Sequence, residues 1–251
     1  MKNNKKILFS LIALISAQVW ANCPIPHQQP ELRMEQNDIQ QYLWEFENAG
    51  LWLEEAQEPI DATIKGYHGF IARRATLDQI ALLKRQQAIY RNAGMPKEVK
   101  RFQAIIDGHA GNIHRASCLD QLLISEQFQR VSYVDSPTEF QGYIFEKNDR
   151  LKVYVAWRTA ASYMGPNVGL GHAAIRRLTQ QGWQFEYGIH NHPFSFDNRS
   201  GDIAGTVIPS NPDINSYLKM FDQVDLQHAR ITNGIHSASY QQGDLQYLSD
   251  L

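Results

Sequence analysis

The fold of this chain depends on the segment Gly188-Ile189-His190-Asn191-His192-Pro193, which is followed later by Pro209-Ser210-Asn211-Pro212-Asp213. Residues 183–192 favour β structure, so the two histidines, at positions i and i+2, are predicted to share one face of a strand. One metal ion could accept both imidazoles. Asp213 could complete a three-ligand set with a fourth position open for water, as in catalytic zinc sites. Asn191 is predicted to face the opposite way.

The segment Ser210-x-x-Asp213 also has a purely structural interpretation. A serine followed three residues later by an acidic residue, just before an apolar run, is a helix capping box. Asp213 would then stabilise the positive end of a helix. A carboxylate at this position could still reach a metal, so the local pattern leaves both interpretations open.

Strand and helix patterns alternate through the second half of the chain. The order strand-strand-helix-strand-loop-helix-strand predicts a mixed sheet with helices packed against it. The predicted elements are strands at 139–145 and 151–157 joined by the turn Lys147-Asn148-Asp149, a helix at 169–181 ended by Gly182, a strand at 183–192, a polar loop at 194–209, a helix from Ser210 to about 221, and a strand at 229–240.

The first half of the mature chain is predicted to be mostly helical. Apolar residues recur at helical spacing in four segments, and Pro96 suits the first position of the third helix. The predicted fold class is therefore α+β, with a helical domain at 22–130 followed by the mixed-sheet domain at 131–251. The predicted helices are 34–55, 76–92, 96–107 and 116–129.

The N-terminus has the pattern of a secretory signal peptide. Three lysines precede a short apolar run that ends at Ala21, where cleavage is predicted. The alternative is an uncleaved N-terminal anchor, although the run is short for a membrane span. Cleavage would move the formal charge from -2 to -5 and leave no basic block. Nucleic-acid binding and stable membrane insertion are therefore not expected.

The chain has two cysteines, Cys23 and Cys118. In an oxidising compartment they could form one disulfide that ties the N-terminus to the helical region. Two unpaired thiols are the alternative. Neither cysteine has metal-motif spacing, so no catalytic role is assigned to them.

A hydrolytic metal site also needs a general base. Three glutamates on predicted strands are candidates: Glu139, Glu146 and Glu186. Simple alternation places Glu186 on the same face as the two histidines. Local reasoning does not choose among the three.

The set Glu139-x-x-Gly142, His190-Asn191-His192-Pro193 and Pro209-Ser210-x-x-Asp213 resembles the JAMM (JAB1/MPN/Mov34) metalloprotease pattern over residues 131–245. The resemblance implies that His190, His192 and Asp213 bind Zn²⁺. It implies that Glu139 is the general base and acid for the attacking water, and that Ser210 stabilises the oxyanion. The preference for Glu139 over Glu186 depends on the resemblance and not on spacing.

The chain departs from the family pattern in two places. Sixteen residues separate Pro193 from Ser210, about twice the usual number in the family, and the extra segment is either a lid or substrate-selecting loop, or a solvated insertion without a role. Asn191 stands where many members of the family carry Ser or Thr.

The leading functional hypothesis is an exported zinc metallopeptidase or isopeptidase, periplasmic or secreted, with a protein, a peptide or peptidoglycan as its amide substrate. The second hypothesis is a non-catalytic binding module of the MPN type, acting as a scaffold or inhibitor. The five retained motif residues argue against it. A zinc deaminase is a third possibility, against which the missing Pro-Cys-x-x-Cys ligand pair argues.

Overall fold

A single sheet runs through the part of the chain that the computed structural model describes, residues 23–132, 137–162, 164–195 and 205–251. Its strand order is β1-β2-β5-β4-β6-β7-β8-β3, and only the β6–β7 pair is parallel. The mixed sheet flanked by helices confirms the predicted α+β class. The strands are β1 Glu31–Gln36, β2 Ile39–Glu47, β3 Asn112–Arg115, β4 Gln141–Lys147, β5 Arg150–Arg158, β6 Gln184–Asn191, β7 His228–Thr232 and β8 His236–Tyr240.

Eight helices accompany the sheet within the described ranges. The three helices predicted at 76–92, 96–107 and 116–129 are confirmed as α3, α4 and α5, and Pro96 is the first residue of α4 as predicted. The helices are α1 Ala49–Leu53, α2 Ala62–Ala72, α3 Gln79–Asn92, α4 Pro96–Ile106, α5 Cys118–Arg130, α6 His172–Gln180, α7 Asn211–Val224 and α8 Gln242–Asp250.

The helix predicted at 34–55 is wrong. This segment forms the β1–β2 hairpin, whose Gln36 and Ile39 pair across a two-residue turn, and only the short α1 follows it. Tyr42, Trp44 and Phe46 alternate along β2 and pack in one apolar cluster. Alternating aromatic residues favour a strand, and this pattern outweighs the weaker helical spacing.

The C-terminal elements are mostly as predicted, with one strand divided. β4, β5, α6, β6 and α7 occur where they were expected, whereas the strand predicted at 229–240 is the hairpin β7–β8. Gly234, at the turn of this hairpin, has a φ of +80°. A positive φ is readily adopted by glycine and ends the extended run. The helices α2 and α8 were not predicted.

The sheet has helices on both faces. On one face, α5 packs with Trp52 of α1 and Ile64 of α2 against β2, β4 and β5. On the other face, α6, α7 and α8 pack with Phe102 and Ile105 of α4 against β4, β6, β7 and β8. Strands from both sides of residue 130 belong to this one sheet, so the region 22–130 is not purely helical.

Cys23 and Cys118 form a disulfide, with their Cα atoms 5.4 Å apart. It joins the N-terminal lead-in to the first residue of α5. Among the described residues, no helix is both long and apolar enough to cross a membrane. The predicted signal peptide, residues 1–21, lies outside the described residues.

Candidate metal centre

The two histidines lie at the end of β6 and face the same side, as predicted. Their Nε2 atoms are 3.0 Å apart. β6 pairs in parallel with β7 and α7 lies between them in the chain, so the N-terminus of α7 returns to the carboxyl end of β6. This is the edge at which ligands bind in parallel α/β units.

Asp213 completes the cluster from the first turn of α7. Its Oδ1 lies 3.5 Å from Nε2 of His190, and its Oδ2 lies 3.5 Å from Nε2 of His192. Zinc ligands at about 2.0–2.1 Å in a tetrahedron are roughly 3.3 Å from one another. The three observed separations bracket that value, so the donor set and its spacing fit a zinc ion.

Asp213 is at the same time a helix-capping residue. The Ser210 hydroxyl accepts from the Asp213 amide, and Asp213 Oδ2 accepts from the Ser210 amide at 2.8 Å. The two interpretations of Ser210-x-x-Asp213 therefore coexist. The Ser210 hydroxyl also lies 2.6 Å from Asp213 Oδ2, to which it donates.

The second nitrogen of each imidazole has its own partner. His192 Nδ1 lies 2.8 Å from the Thr206 carbonyl oxygen, and His190 Nδ1 lies 2.7 Å from the Tyr217 hydroxyl. That hydroxyl is in turn 3.5 Å from the Arg230 carbonyl oxygen. Such partners fix the ring orientation and the tautomer of metal-binding histidines, and they leave both Nε2 atoms directed at the cluster.

Tyr217 has room to reach His190 because residue 188 is a glycine. A Cβ atom at Gly188 would lie 3.0 Å from the Tyr217 ring. Tyr217 was not identified from sequence, although its position one helical turn after Asp213 places it on the same face of α7. Thr206 had no sequence signal, because it contributes only its backbone oxygen.

The cluster is electrostatically suited to a cation. Burial by itself would raise the pKa of Asp213, but His190 and His192 hold the pKa of this carboxyl far below its ordinary value. Burial by itself would lower the pKa of His192, yet Asp213 and Glu139 raise it. A partly buried carboxylate beside two imidazoles favours bound positive charge.

Glu139 lies just before β4, next to the end of β6. Gln141 pairs with His190 in the antiparallel β4–β6 ladder, so continuing the register by two residues sets Glu139 opposite His192. The two side chains line one cleft. Burial raises the pKa of Glu139, against the opposing effect of the histidines. A raised pKa suits a carboxyl group that both accepts and donates a proton.

The other two candidate bases are elsewhere. A register shift in the β4–β6 ladder interrupts the alternation that had placed Glu186 beside the histidines. Glu186 lies 3.8 Å from His228 Nε2, and the neighbouring charge of Glu146 raises its pKa after the larger effect of burial. The structure therefore brings Glu139, and neither Glu146 nor Glu186, to the cluster.

Asn191 faces away from the metal ligands, as predicted, and holds the backbone on both sides of Glu139. Its Oδ1 accepts from the Phe140 amide at 2.6 Å, and its Nδ2 donates to the Thr138 carbonyl oxygen at 2.9 Å. The side chain is almost fully buried. The strand that carries the histidines thus fixes the segment that carries the candidate base.

A cleft of about 410 Å³ opens at the cluster. Glu139, His192 and Ser210 contribute one side, and α3 and α4 contribute the other. The cleft residues from these helices were not identified from sequence, because only the tertiary fold brings them to the site. Of the loop predicted at 194–209, residues 196–204 lie outside the described residues.

Comparisons with known proteins give no relative for this chain. No family model matches it, and no curated protein or solved structure matches it either. The resemblance to the JAMM pattern therefore rests on the motif residues alone.

Proposed function

We propose that this protein is a zinc-dependent metallopeptidase or isopeptidase of the JAMM type that hydrolyses an amide bond. The observation that carries the proposal is the convergence of His190, His192 and Asp213 at ligand spacing, with Glu139 in the same cleft. This combination supplies a metal-binding face and a proton-transferring group at one surface.

In this proposal His190, His192 and Asp213 hold the metal. Bound zinc would polarise the scissile carbonyl and lower the pKa of water toward neutrality. Thr206 and Tyr217 keep the imidazoles oriented, because each occupies the ring nitrogen that faces away from the cluster.

Glu139 moves the proton. Its carboxylate takes a proton from the attacking water and gives it to the leaving amine nitrogen, as a general base and then a general acid. Ser210 is the proposed donor to the oxyanion. In the structure its hydroxyl donates to Asp213, so this role requires the hydroxyl to turn toward the substrate.

The proposed location is the periplasm or the exterior of the cell. The signal-like N-terminus supports export, and the Cys23–Cys118 disulfide is typical of oxidising compartments. The proposed substrates are accordingly proteins or peptides found there, with peptidoglycan as a further amide source.

The test combines metal analysis with hydrolysis of a peptide library. Purified protein should hold about one zinc per chain, and Glu139→Gln should retain the metal while losing at least about 10²-fold in hydrolysis. Glu186→Gln is the matched control, since it removes a glutamate on the adjacent strand that is outside the site, and it should leave hydrolysis unchanged.

Two outcomes would contradict the proposal. A protein without divalent metal whose activity is untouched by His190→Ala does not use this site. A protein that binds zinc and peptides without cleaving them is the non-catalytic binding module.

A further inference from the structure

The part of the cleft lining that α3 and α4 contribute is mostly apolar, with Gln86 and Glu98 as its polar members. Tyr90 of α3, Met95 at the start of α4 and Phe102 within α4 face this cavity, together with Ile208 and the flanking prolines. The Tyr90 and Phe102 rings pack edge to face, with centroids 5.3 Å apart. This wall of the cleft therefore contains two packed aromatic rings, in the same cavity as Glu139.

The one charged side chain that α3 and α4 contribute to the cleft lining is already paired. Glu98 accepts from Arg101 at 3.2 Å and from Asn211 at 3.4 Å. Arg101 also bonds to Asn211, the residue after Ser210, and donates to the Leu248 carbonyl oxygen at 2.7 Å. These bonds hold α4 against the N-terminus of α7. They leave no unmatched charge on the wall for a charged substrate group to pair with.

Met95 contributes an apolar side chain to the cleft lining. It is 44% exposed and lines the cleft, beside the motif residues of the proposed active site. An exposed apolar side chain beside a catalytic cleft contributes contact area for a ligand and no packing to the core. Its flexible thioether suits varied apolar partners.

We infer that α3 and α4 form a subsite for one large apolar side chain, such as Leu, Met or Phe, next to the scissile amide of a polypeptide. The inference rests on the proposed function and narrows its substrate class. A cleft of about 410 Å³ lies at the lower end of the roughly 300–1,000 Å³ of ligand sites, which suits a side chain with its peptide unit and not a folded domain.

The substrate segment is therefore extended or unfolded when it binds. Peptidoglycan cross-links present small and charged residues, which leave this apolar wall without contacts. The subsite thus favours a polypeptide over peptidoglycan.

The experiment measures binding separately from hydrolysis. Zinc-loaded Glu139→Gln protein, full mature chain, is titrated by fluorescence anisotropy with labelled peptides that differ at one position, Leu, Asp or Lys. The Leu peptide should bind on the order of tenfold more tightly than either charged peptide.

Met95→Glu and Met95→Lys supply the specificity test. Each should weaken binding of the Leu peptide, and the first should improve Lys binding while the second improves Asp binding. Leu51→Glu on α1 is the matched control, since Leu51 is 43% exposed and does not line the cleft. It should change none of the three affinities.

Equal affinities for the three peptides, equal effects of Met95→Glu and Leu51→Glu, or preferred binding of a muropeptide would each overturn the subsite. If the wild-type protein hydrolyses no peptide but the Leu peptide still binds most tightly, the proposed catalysis is contradicted and the subsite is supported. Both Met95 variants should keep full zinc content, because the side chain contributes no ligand.

Discussion

The side chain of Asn191 connects the strand that carries the two histidines to the segment that carries Glu139. Its amide offers one acceptor and one donor in a plane, and these reach the Phe140 amide and the Thr138 carbonyl at once. A Ser or Thr side chain at this position is shorter, and its single hydroxyl oxygen would have to serve as both the acceptor and the donor. Asn191 therefore holds the backbone on both sides of Glu139.

Asn191→Ala should lower kcat roughly ten- to a hundredfold with KM and zinc content little changed, because Glu139 loses its fixed place beside the proposed metal site. Steady-state kinetics measure kcat and KM, and metal analysis measures the zinc content, at a temperature below the melting temperature of the variant. Asn191→Asp keeps the acceptor for the Phe140 amide but places a carboxylate oxygen against the Thr138 carbonyl oxygen. Its kcat should therefore lie between those of Asn191→Ala and the wild-type protein. A kcat equal to that of the wild-type protein would show that residue 191 only fills space.

Asp120 is a second buried polar residue with several partners. Burial by itself would raise the pKa of its carboxyl, but Arg230 and hydrogen bonds from Ser117 and Ser237 hold that pKa below its ordinary value. The nearest oxygen–nitrogen distance to Arg230 is 3.4 Å. A lowered pKa means that the folded state is stabilised above the unfolded pKa of about 3.9 and loses this stability as pH falls below it.

Asp120→Asn should reduce the free energy of unfolding at pH 7 by about 3 kcal/mol, because it leaves Arg230 buried without its counter-ion. The difference from wild type should stay constant from pH 7 to 5 and shrink below about pH 4. Urea unfolding of metal-free protein at these pH values measures it. Asp244→Asn, in the capping box of α8, is the control. It should lower the free energy of unfolding by less than Asp120→Asn does at every pH.

The dipeptide Asn-Asp occurs in two hairpin turns of the sheet, of which one was predicted and the other was not. Asn148-Asp149 lies in the predicted turn between β4 and β5, and both residues have positive φ, at 50° and 60°. Asn37-Asp38 forms the β1–β2 turn, with φ of 54° at Asn37, yet it was placed inside a helix. The flanking residues account for the difference, because β1 is exposed along its whole length and carries no burial pattern.

The sequence predicted those residues of the candidate site whose placement depends on neighbours in the chain. Alternation placed His190 and His192 correctly, and helix capping placed Asp213. Alternation failed for Glu186 because an irregularity in the β4–β6 ladder, invisible in the residue pattern, changes the face. The choice of Glu139 came from the motif, and the cleft residues of α3 and α4 required the tertiary fold.

The capping role of Ser210 and its proposed catalytic role can be separated by comparing α7 with α5. α5 has the same capping box, with Ser117 and Asp120, away from the candidate site. Ser210→Ala and Ser117→Ala should each cost about 1 kcal/mol or more of unfolding free energy. Only Ser210→Ala should also lower kcat. If both variants keep the wild-type kcat, Ser210 is a cap and has no catalytic role.

For the whole molecule, the fold class followed from the alternation of strands and helices after residue 131, while the extent of the sheet did not. β2 and β3 join it through pairings with β5 and β8. Pairings between segments so far apart in sequence depend on the complete chain. This is why residues 22–130 were predicted to be mostly helical, without strands.

The disulfide ties distant parts of this molecule, since Cys23 and Cys118 are 95 residues apart. Replacing both cysteines with Ala should lower the free energy of unfolding by about 4.7 kcal/mol in the chain-entropy description. Denaturant unfolding compares the two proteins, and zinc content should be unchanged because the site lies elsewhere. Equal free energies of unfolding would show that the bridge gives no net stabilisation and would contradict this prediction.

The strand order also has a consequence for the timing of folding during synthesis. β2 must wait for β5, and β3, which ends at Arg115, pairs with β8, which begins at His236. A nascent chain that has just passed Asp213 already contains every proposed catalytic residue, yet β3 has no partner and α8 is missing from the core. All residues of the proposed site are therefore synthesised before the sheet can be completed, and β8 and α8 complete the fold last.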